Sequence, residues 1–289
     1  MSFSQTVVLG ALAGFTIFLG LPFGRLQLLS VRGRVALAMF SVGVLAFLFV
    51  DVLSHGFEIV EAAVAGYKDG KSSLGHAVAL ALVLGGGFAV GTAGLATVER
   101  RMRGGAAAGG PHPPLAGGAT DTLTAGQAEV LAGAERSAQR AALRTGMTIA
   151  VAIGIHNFAE GLAIGVAAST GAISLATVLI IGFAMHNATE GFGIVGPLGS
   201  VRPSWRWLLL AGLVGGGPTF IGSMVGYSVS SAPLELACYA VSGGAILYVI
   251  GEVWQGMRRY GHRELGLWLL SAGFFAGVVT DLVVAYGGG

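Results

Sequence analysis

The chain has 289 residues, of which 54% are hydrophobic and 10% are charged, and its formal net charge is +2. Soluble globular domains carry roughly 25% charged residues, so this composition excludes a water-soluble fold. The small net charge and the scattered basic residues give no basic patch for nucleic acid. Cys238 is the only cysteine, which excludes a disulfide framework and a thiolate zinc site.

Eight stretches of the chain are long and apolar enough for a transmembrane helix, which needs about 20 residues. They are 5–28, 35–62, 74–98, 145–169, 173–197, 206–229, 233–256 and 264–286. We therefore predict an all-α membrane protein, a polytopic bundle of eight transmembrane helices. The first stretch is interpreted as a retained helix rather than a signal peptide, because no basic residue precedes Arg25.

The basic residues predict the orientation of this bundle. All 14 arginines fall on one side, whereas both lysines, Lys68 and Lys71, fall on the other. The positive-inside rule places the arginine side in the cytoplasm, so both termini are expected outside. We expect a multi-pass protein of the plasma (inner) membrane. GxxxG spacings such as Gly161/Gly165 favour a tight bundle and leave a homodimer open.

Three parts of the chain follow from these spans: residues 1–98 with helices 1–3, a cytoplasmic loop at 99–144, and residues 145–289 with helices 4–8. The loop opens with Gly104 to Gly118, a stretch of Gly, Ala and Pro that cannot pack a core, and we predict that it is disordered. From Asp121 to Arg144 the chain is alanine-rich with mixed charge, which predicts a helix leading into the fourth span. Glu99 is expected to be a surface charge.

Ionisable side chains inside a bilayer are costly and indicate function by default. The fourth and fifth spans repeat one hexapeptide, HNxxEG, at 156–161 and 186–191. In a helix, residues i and i+4 share a face, so each His lies over its Glu with the Asn beside it. A short outer turn makes the two helices antiparallel neighbours. The sequence therefore predicts a midplane divalent-metal site of imidazole, carboxylate and amide ligands, formed by His156, Asn157, Glu160, His186, Asn187 and Glu190.

Other ionisable residues within the spans are candidates for an ion pathway. Asp51 and His55 lie at i and i+4 on the second span, and they either line the pathway or form the polar face of a helix that ends near the surface. Glu58 extends the same stripe and is the weaker candidate. Glu252 in the seventh span is a candidate exit ligand, or an ion-pair partner of a neighbouring arginine.

The paired motifs on the fourth and fifth of eight spans, the outward termini and the long cytoplasmic loop before the fourth span resemble the Zrt/Irt-like (ZIP) divalent metal transporters. The resemblance implies import of metal into the cytoplasm, with the six motif residues as ligands. Zinc is the first choice as the bound substrate, and iron, manganese, cobalt and cadmium also suit this ligand set. No catalytic residue and no prosthetic group are expected.

Three features depart from the family pattern. Ala159 and Thr189 stand where many members have Pro before the motif Glu, and Thr189 is expected to replace part of the kink by bonding to the preceding turn. In the sixth span, Gly217 precedes Pro218 where some members carry a Glu before the Pro. In the seventh span, Glu252-Val253 occupies the place where some members have His-Glu. With only two motif carboxylates, we expect one tightly bound divalent ion per chain. We also expect Gly217→Glu to strengthen a second site if the sixth span lies against the fourth and fifth.

Two other classes of function fit parts of the pattern. An intramembrane metal-dependent hydrolase could use the same ligands to activate water, but the sequence lacks HExxH and the class gives no reason for a duplicated motif. A metal sensor or receptor could signal through the 99–144 loop, although that loop has no recognisable partner motif. Metal uptake into proteoliposomes separates these two classes from a transporter.

Overall fold

The computed structural model describes residues 1–26, 29–104, 125–229 and 231–286, and within these ranges it has no β-strand. Eight helical segments in the described ranges are long and apolar enough to cross a membrane. The predicted all-α bundle of eight spans is confirmed. The helices are α1 (Phe3–Phe15, then a 3-10 turn Thr16–Leu19 and a helical turn Phe23–Leu26), α2 (Val31–Lys68), α3 (Leu74–Ala89, a π-helical turn Val90–Gly94 and Leu95–Gly104), α4 (Ala125–Ser169), α5 (Ile173–Val195, then a 3-10 turn Gly196–Leu198), α6 (Trp205–Ser228), α7 (Ala232–Arg258) and α8 (Arg263–Tyr286).

Serine caps fix where several of these helices begin. Ser30, Ser73 and Ser204 each accept a hydrogen bond, 3.1–3.2 Å long, from the backbone N–H three residues later. In α1, Ser2 and Gln5 form a reciprocal capping box. Each cap satisfies one of the N–H groups that a helix start leaves free. These polar residues therefore set the points at which α1, α2, α3 and α6 start.

The fourth helix begins at Ala125, before the fourth predicted span, and continues to Ser169, a length of 45 residues. Residues 105–124, which hold most of the stretch predicted to be disordered, lie outside the described residues. At its far end, Gly171 has φ +82°, a conformation that glycine adopts at little cost. The turn there lets α5 run back antiparallel beside α4.

The eight helices form two sets, α1, α4, α5 and α6 in the first and α2, α3, α7 and α8 in the second, and the sets meet mainly where α4 packs against α7 and α5 against α2. Glycines allow the backbones within each set to approach closely. A Cβ at Gly161 or Gly222 would overlap a carbonyl across the α4–α6 contact, and a Cβ at Gly43 or Gly273 would do so across the α2–α8 contact. The glycine-rich composition thus serves tight helix packing.

The two ends of the bundle differ in charge and packing. Arg25, Arg34 and Arg259 donate hydrogen bonds to backbone carbonyls of the 197–203 connection between α5 and α6. We call this end the arginine face and the other end the opposite face. Between the arginine face and the middle of the bundle lies the main hydrophobic core, which includes Val42, Ile149 and Val253. This half of the bundle is therefore closely packed.

Large apolar side chains are exposed on the outside of the bundle. Leu82 on α3 is 70% exposed and Phe275 on α8 is 66% exposed. A soluble monomer rarely exposes contiguous apolar surface of this kind. Such side chains suit contact with lipid.

Candidate metal centre

The two repeated hexapeptides lie in the middle of α4 and α5, on the faces that these helices turn toward each other. Glu160 follows His156 by one helical turn on α4, and Glu190 follows His186 in the same way on α5. All four side chains are buried, the most exposed being His186 at 7%. The antiparallel pairing through the Gly171 turn places the two motifs at the same depth. The backbone of each motif is satisfied within its helix, so its side chains are free to act as ligands.

Three of the predicted ligands form a compact cluster. Suitable ligand atoms of His156, Glu160 and His186 all lie within 4.8 Å of one another. Glu160 Oε1 is at the centre, 2.5 Å from His186 Nε2 and 2.9 Å from His156 Nε2. Glu190 stands at the edge, with its Oε1 3.9 Å from His156 Nε2. The arrangement offers two nitrogen ligands and one carboxylate ligand around one point, with the second carboxylate, Glu190, beside them.

The two motif asparagines hold this cluster to its surroundings. Asn157 Nδ2 donates to Glu190 Oε2 and to the carbonyl of Gly215, each at 3.0 Å. Asn187 Nδ2 donates to the carbonyl of Ala13 on α1 at 3.2 Å. The structure therefore links Asn157 directly to a cluster carboxylate, whereas the hydrogen bond of Asn187 leads away to α1.

Several oxygen atoms of the motifs are buried without a hydrogen-bond partner among the described residues. They are Asn157 Oδ1, Glu160 Oε2, Asn187 Oδ1 and Glu190 Oε1. A buried polar group left unpaired costs about 1–3 kcal/mol, and more when it is charged. One oxygen of each carboxylate and the two amide oxygens thus lack a donor among these residues, which is what a site for a cation presents. Without a bound cation, these four oxygen atoms would need hydrogen-bond donors.

A serine of α7 completes the surroundings of His156. Ser242 is fully buried, and its Oγ lies 2.9 Å from His156 Nδ1. The Nε2 of the same ring is turned toward the cluster. Sequence reasoning missed Ser242, because a serine within an apolar span gives no sign of the partner it will meet.

Thr189 makes the backbone contact expected of it in place of proline. Its Oγ1 donates to the carbonyl of His186 at 2.7 Å. The hydroxyl thus engages a carbonyl of the preceding turn, next to the cluster.

A cavity of about 610 Å³ connects the cluster to the opposite face. His156, Glu160 and His186 line its inner end, and Thr170 and Ala285, at helix ends of the opposite face, line its outer end. Asp51 and His55 also line it. The predicted second-span residues therefore line the same cavity as the metal cluster.

Glu252 is in a different place from the other candidate residues. It lines a second cavity, together with Tyr248 and Arg258, on the arginine side of the bundle.

Glu99 at the end of α3 was expected to be a surface charge, and this expectation is wrong. Glu99 is 5% exposed and accepts a hydrogen bond from the Tyr248 hydroxyl at 2.8 Å. The side chain of Tyr248 covers this carboxylate from α7.

The expectation for Gly217 is also wrong. The sixth helix does pack against α4, but a Cβ placed at Gly217 would meet no atom within 4 Å. Gly217 does not line the cavity of the cluster. The nearby residue Gly215 contacts the site instead, because its carbonyl accepts a hydrogen bond from Asn157. A glutamate at position 217 would thus not point at the α4–α5 ligands.

The fold and the cluster together define a polytopic helical membrane protein with a buried set of metal-type ligands at the centre of its bundle. Residues 119–250 match the family model described as ZIP zinc transporter. Zinc transporter ZupT of Clostridium perfringens (strain 13 / Type A) is 32% identical over 146 residues, which are 49% of this chain and 51% of that protein. The chain thus matches about half the length of this relative.

Both matches support the ZIP family, and they confirm the resemblance that the paired motifs indicated. The family segment, 119–250, contains both HNxxEG motifs. With its eight apolar helices, the chain is an integral multi-pass membrane protein.

Proposed function

We propose that the protein transports divalent transition-metal ions toward the cytoplasm through the cluster on α4 and α5. The ligands in this proposal are His156, Asn157, Glu160, His186, Asn187 and Glu190. One observation carries it: His156, Glu160 and His186 converge in the buried middle of the bundle with Glu190 beside them, and carboxylate oxygens there lack a hydrogen-bond donor among the described residues. The name of the similar protein, a zinc transporter, favours zinc as the substrate.

Charge balance supports a single divalent ion at this site. Glu160 and Glu190 are 4% and 0% exposed and together carry −2. Two negative charges in a low-dielectric interior are unfavourable unless they are compensated. One divalent ion brings +2, and the neutral histidines supply nitrogen ligands without changing the sum. Zinc, iron, manganese, cobalt and cadmium can all use such a mixed set.

The cavity gives the proposed route by which ions reach the cluster, and the direction of transport is inferred from the family resemblance. The cavity runs from the cluster to the opposite face, while the arginines lie at the other end. The positive-inside rule assigns the arginine face to the cytoplasm, so the cavity admits ions from outside. Asp51 and His55 are proposed as residues that an entering ion meets before the cluster.

On the cytoplasmic side the packed core separates the cluster from the arginine face. An ion can leave toward the cytoplasm only after this side opens. Glu252, which lines the cavity on that side, is the proposed contact on the exit route. We place the protein in the plasma (inner) membrane, where import from outside would deliver metal to the cytoplasm.

The family match also separates transport from the enzymatic alternative. The matched family is one of transporters, which supports a transporter rather than an intramembrane hydrolase. No residue of the cluster is therefore assigned a catalytic role.

The proposal is tested with purified protein in liposomes that contain a zinc-sensitive dye. We expect saturable entry of Zn²⁺ that protein-free liposomes do not show, and competition by Co²⁺ or Cd²⁺. Binding of Zn²⁺ without any flux would favour the sensor alternative and contradict transport. Hydrolysis of added peptides that depends on the metal would favour the enzyme.

A further inference from the structure

One side-chain hydrogen bond in the described residues joins the metal cluster to a helix of the second set. It is the bond between His156 and Ser242. His156 belongs to α4 in the first set, and Ser242 belongs to α7 in the second. The distance of 2.9 Å between His156 Nδ1 and Ser242 Oγ is that of a good hydrogen bond. Both side chains are buried, at 1% and 0% exposure.

The chemistry of imidazole makes this contact consequential. A neutral histidine has one ring nitrogen that carries a proton and one with a free lone pair, and a metal binds only the latter. In His156, Nε2 is the nitrogen that faces the cluster, 2.9 Å from Glu160 Oε1 and 3.9 Å from Glu190 Oε1. For Nε2 to bind an ion, the proton must be on Nδ1, where Ser242 Oγ can accept it in a hydrogen bond.

The geometry at Nε2 agrees with this arrangement. Nε2 lies 2.9 Å from Glu160 Oε1 but has no hydrogen-bond partner among the described residues. Nε2 therefore faces the cluster without a hydrogen bond, as a nitrogen that is to bind an ion requires.

The second histidine of the cluster lacks such support. His186 Nε2 contacts Glu160 at 2.5 Å, and the Phe183 ring lies 5.3 Å from its imidazole. Among the described residues, no hydrogen bond to its Nδ1 is found. The two histidines therefore differ, since a hydrogen bond at Nδ1 orients the His156 ring and none is found at Nδ1 of His186 among the described residues.

We propose that Ser242 is a positioning residue that fixes the ring orientation and tautomer of His156, so that Nε2 is presented to the ion. This inference rests on the proposed function, since it takes the cluster to be the ion site. Partners that bind the second nitrogen of a metal-ligating histidine typically contribute 10–100-fold to metal affinity. Because a hydroxyl is a neutral acceptor, we expect the effect of Ser242 at the lower end, about tenfold.

The first test measures equilibrium binding of Co²⁺ and Zn²⁺ to purified wild-type protein and to Ser242→Ala, Ser242→Thr and Ser223→Ala. Ser223 is a matched control, because it is also fully buried and, in the part of the chain that the structure describes, its hydroxyl bonds only to the carbonyl of Phe220 on its own helix. We expect about tenfold weaker binding in Ser242→Ala, recovery in Ser242→Thr and no change in Ser223→Ala. Equal affinity of Ser242→Ala and wild type would overturn the inference.

A double-mutant cycle shows whether Ser242 acts through His156. In a His156→Ala background, the further change Ser242→Ala should cause no additional loss of affinity, because there is no imidazole left to orient. An additional loss of the same size would mean that Ser242 acts on the fold in general and would overturn the positioning role.

A measurement on the wild-type protein remains decisive even if Ser242→Ala fails to fold. In Zn²⁺-loaded protein with ¹⁵N-labelled histidine, NMR should show His156 protonated at Nδ1 and metal-bound at Nε2. Zinc bound through Nδ1 of His156 would overturn the inference. If Zn²⁺ perturbs neither motif histidine, the proposed metal site itself fails, which is a different result from zinc at the wrong nitrogen.

Discussion

Replacing Glu160 by glutamine removes one charge from the cluster while keeping the size of the side chain. Glu160 Oε1 is the central atom, 2.5 Å from His186 Nε2 and 2.9 Å from His156 Nε2. With a divalent ion bound, the sum of the charges is zero in the wild type and +1 in Glu160→Gln. The variant therefore leaves one uncompensated positive charge in the buried middle of the bundle.

The magnitude follows from the burial of this carboxylate, which is 4% exposed. Removing one partner of a buried charge pair costs about 3–5 kcal/mol. Because about 1.4 kcal/mol corresponds to a tenfold change, metal affinity should fall by roughly 10²–10⁴-fold. At an ion concentration of 100 times the wild-type Kd, binding stabilises the wild type by about 2.7 kcal/mol, and a variant that binds 1,000-fold more weakly gains only about 0.1 kcal/mol.

Thermal unfolding in detergent, with and without Zn²⁺, measures this difference. We expect a Zn²⁺-dependent rise in Tm for the wild type and almost none for Glu160→Gln, with similar Tm values for the two proteins without added metal. Glu264→Gln is the matched control, because Glu264 is an exposed carboxylate at the start of α8 on the arginine face. An undiminished Zn²⁺ effect in Glu160→Gln would refute the role of this carboxylate as a ligand.

Three further predictions concern the same cluster. His156→Asp and His186→Asp should shift preference from zinc toward harder cations such as Mn²⁺, because oxygen replaces nitrogen, and an unchanged ranking in competition assays would count against direct ligation. Acidification from pH 7.5 to pH 5 should weaken Zn²⁺ binding, because His and Glu ligands must lose their protons to bind, and equal affinity by calorimetry would contradict this. Metal counting should give one tight ion per chain, and Gly217→Glu should leave that count unchanged, since position 217 does not face the cluster; two ions of similar affinity would mean that another carboxylate reaches the site.

Much of the fold could be predicted from the sequence because charge is costly in a bilayer. The positions of the arginines and the apolar runs marked eight spans without any tertiary information. The ligand cluster was also predictable, because helix geometry fixes residues i and i+4 on one face and a short turn makes α4 and α5 neighbours. His156, Glu160 and His186 do lie together.

The residues that sequence reasoning missed depend on contacts between distant parts of the chain. Glu99 stands next to arginines at the end of a span, and nothing near it in sequence shows that Tyr248 of α7 covers it. Ser242 meets His156 across 86 positions of sequence. The direction of Gly217 depends on how α6 is rotated about its axis, and a glycine-rich helix that is apolar on most sides does not specify that rotation.

The most direct measurement of the central claim is the position of the ion in Zn²⁺-soaked crystals, located by anomalous scattering at the zinc edge. We predict a strong peak between α4 and α5, within about 2.0–2.2 Å of ligand atoms of the histidines and Glu160. The same peak should be lost in Glu160→Gln and retained in Glu264→Gln. A strong peak elsewhere in the bundle, with none at the cluster, would contradict the assignment of these residues as the metal site.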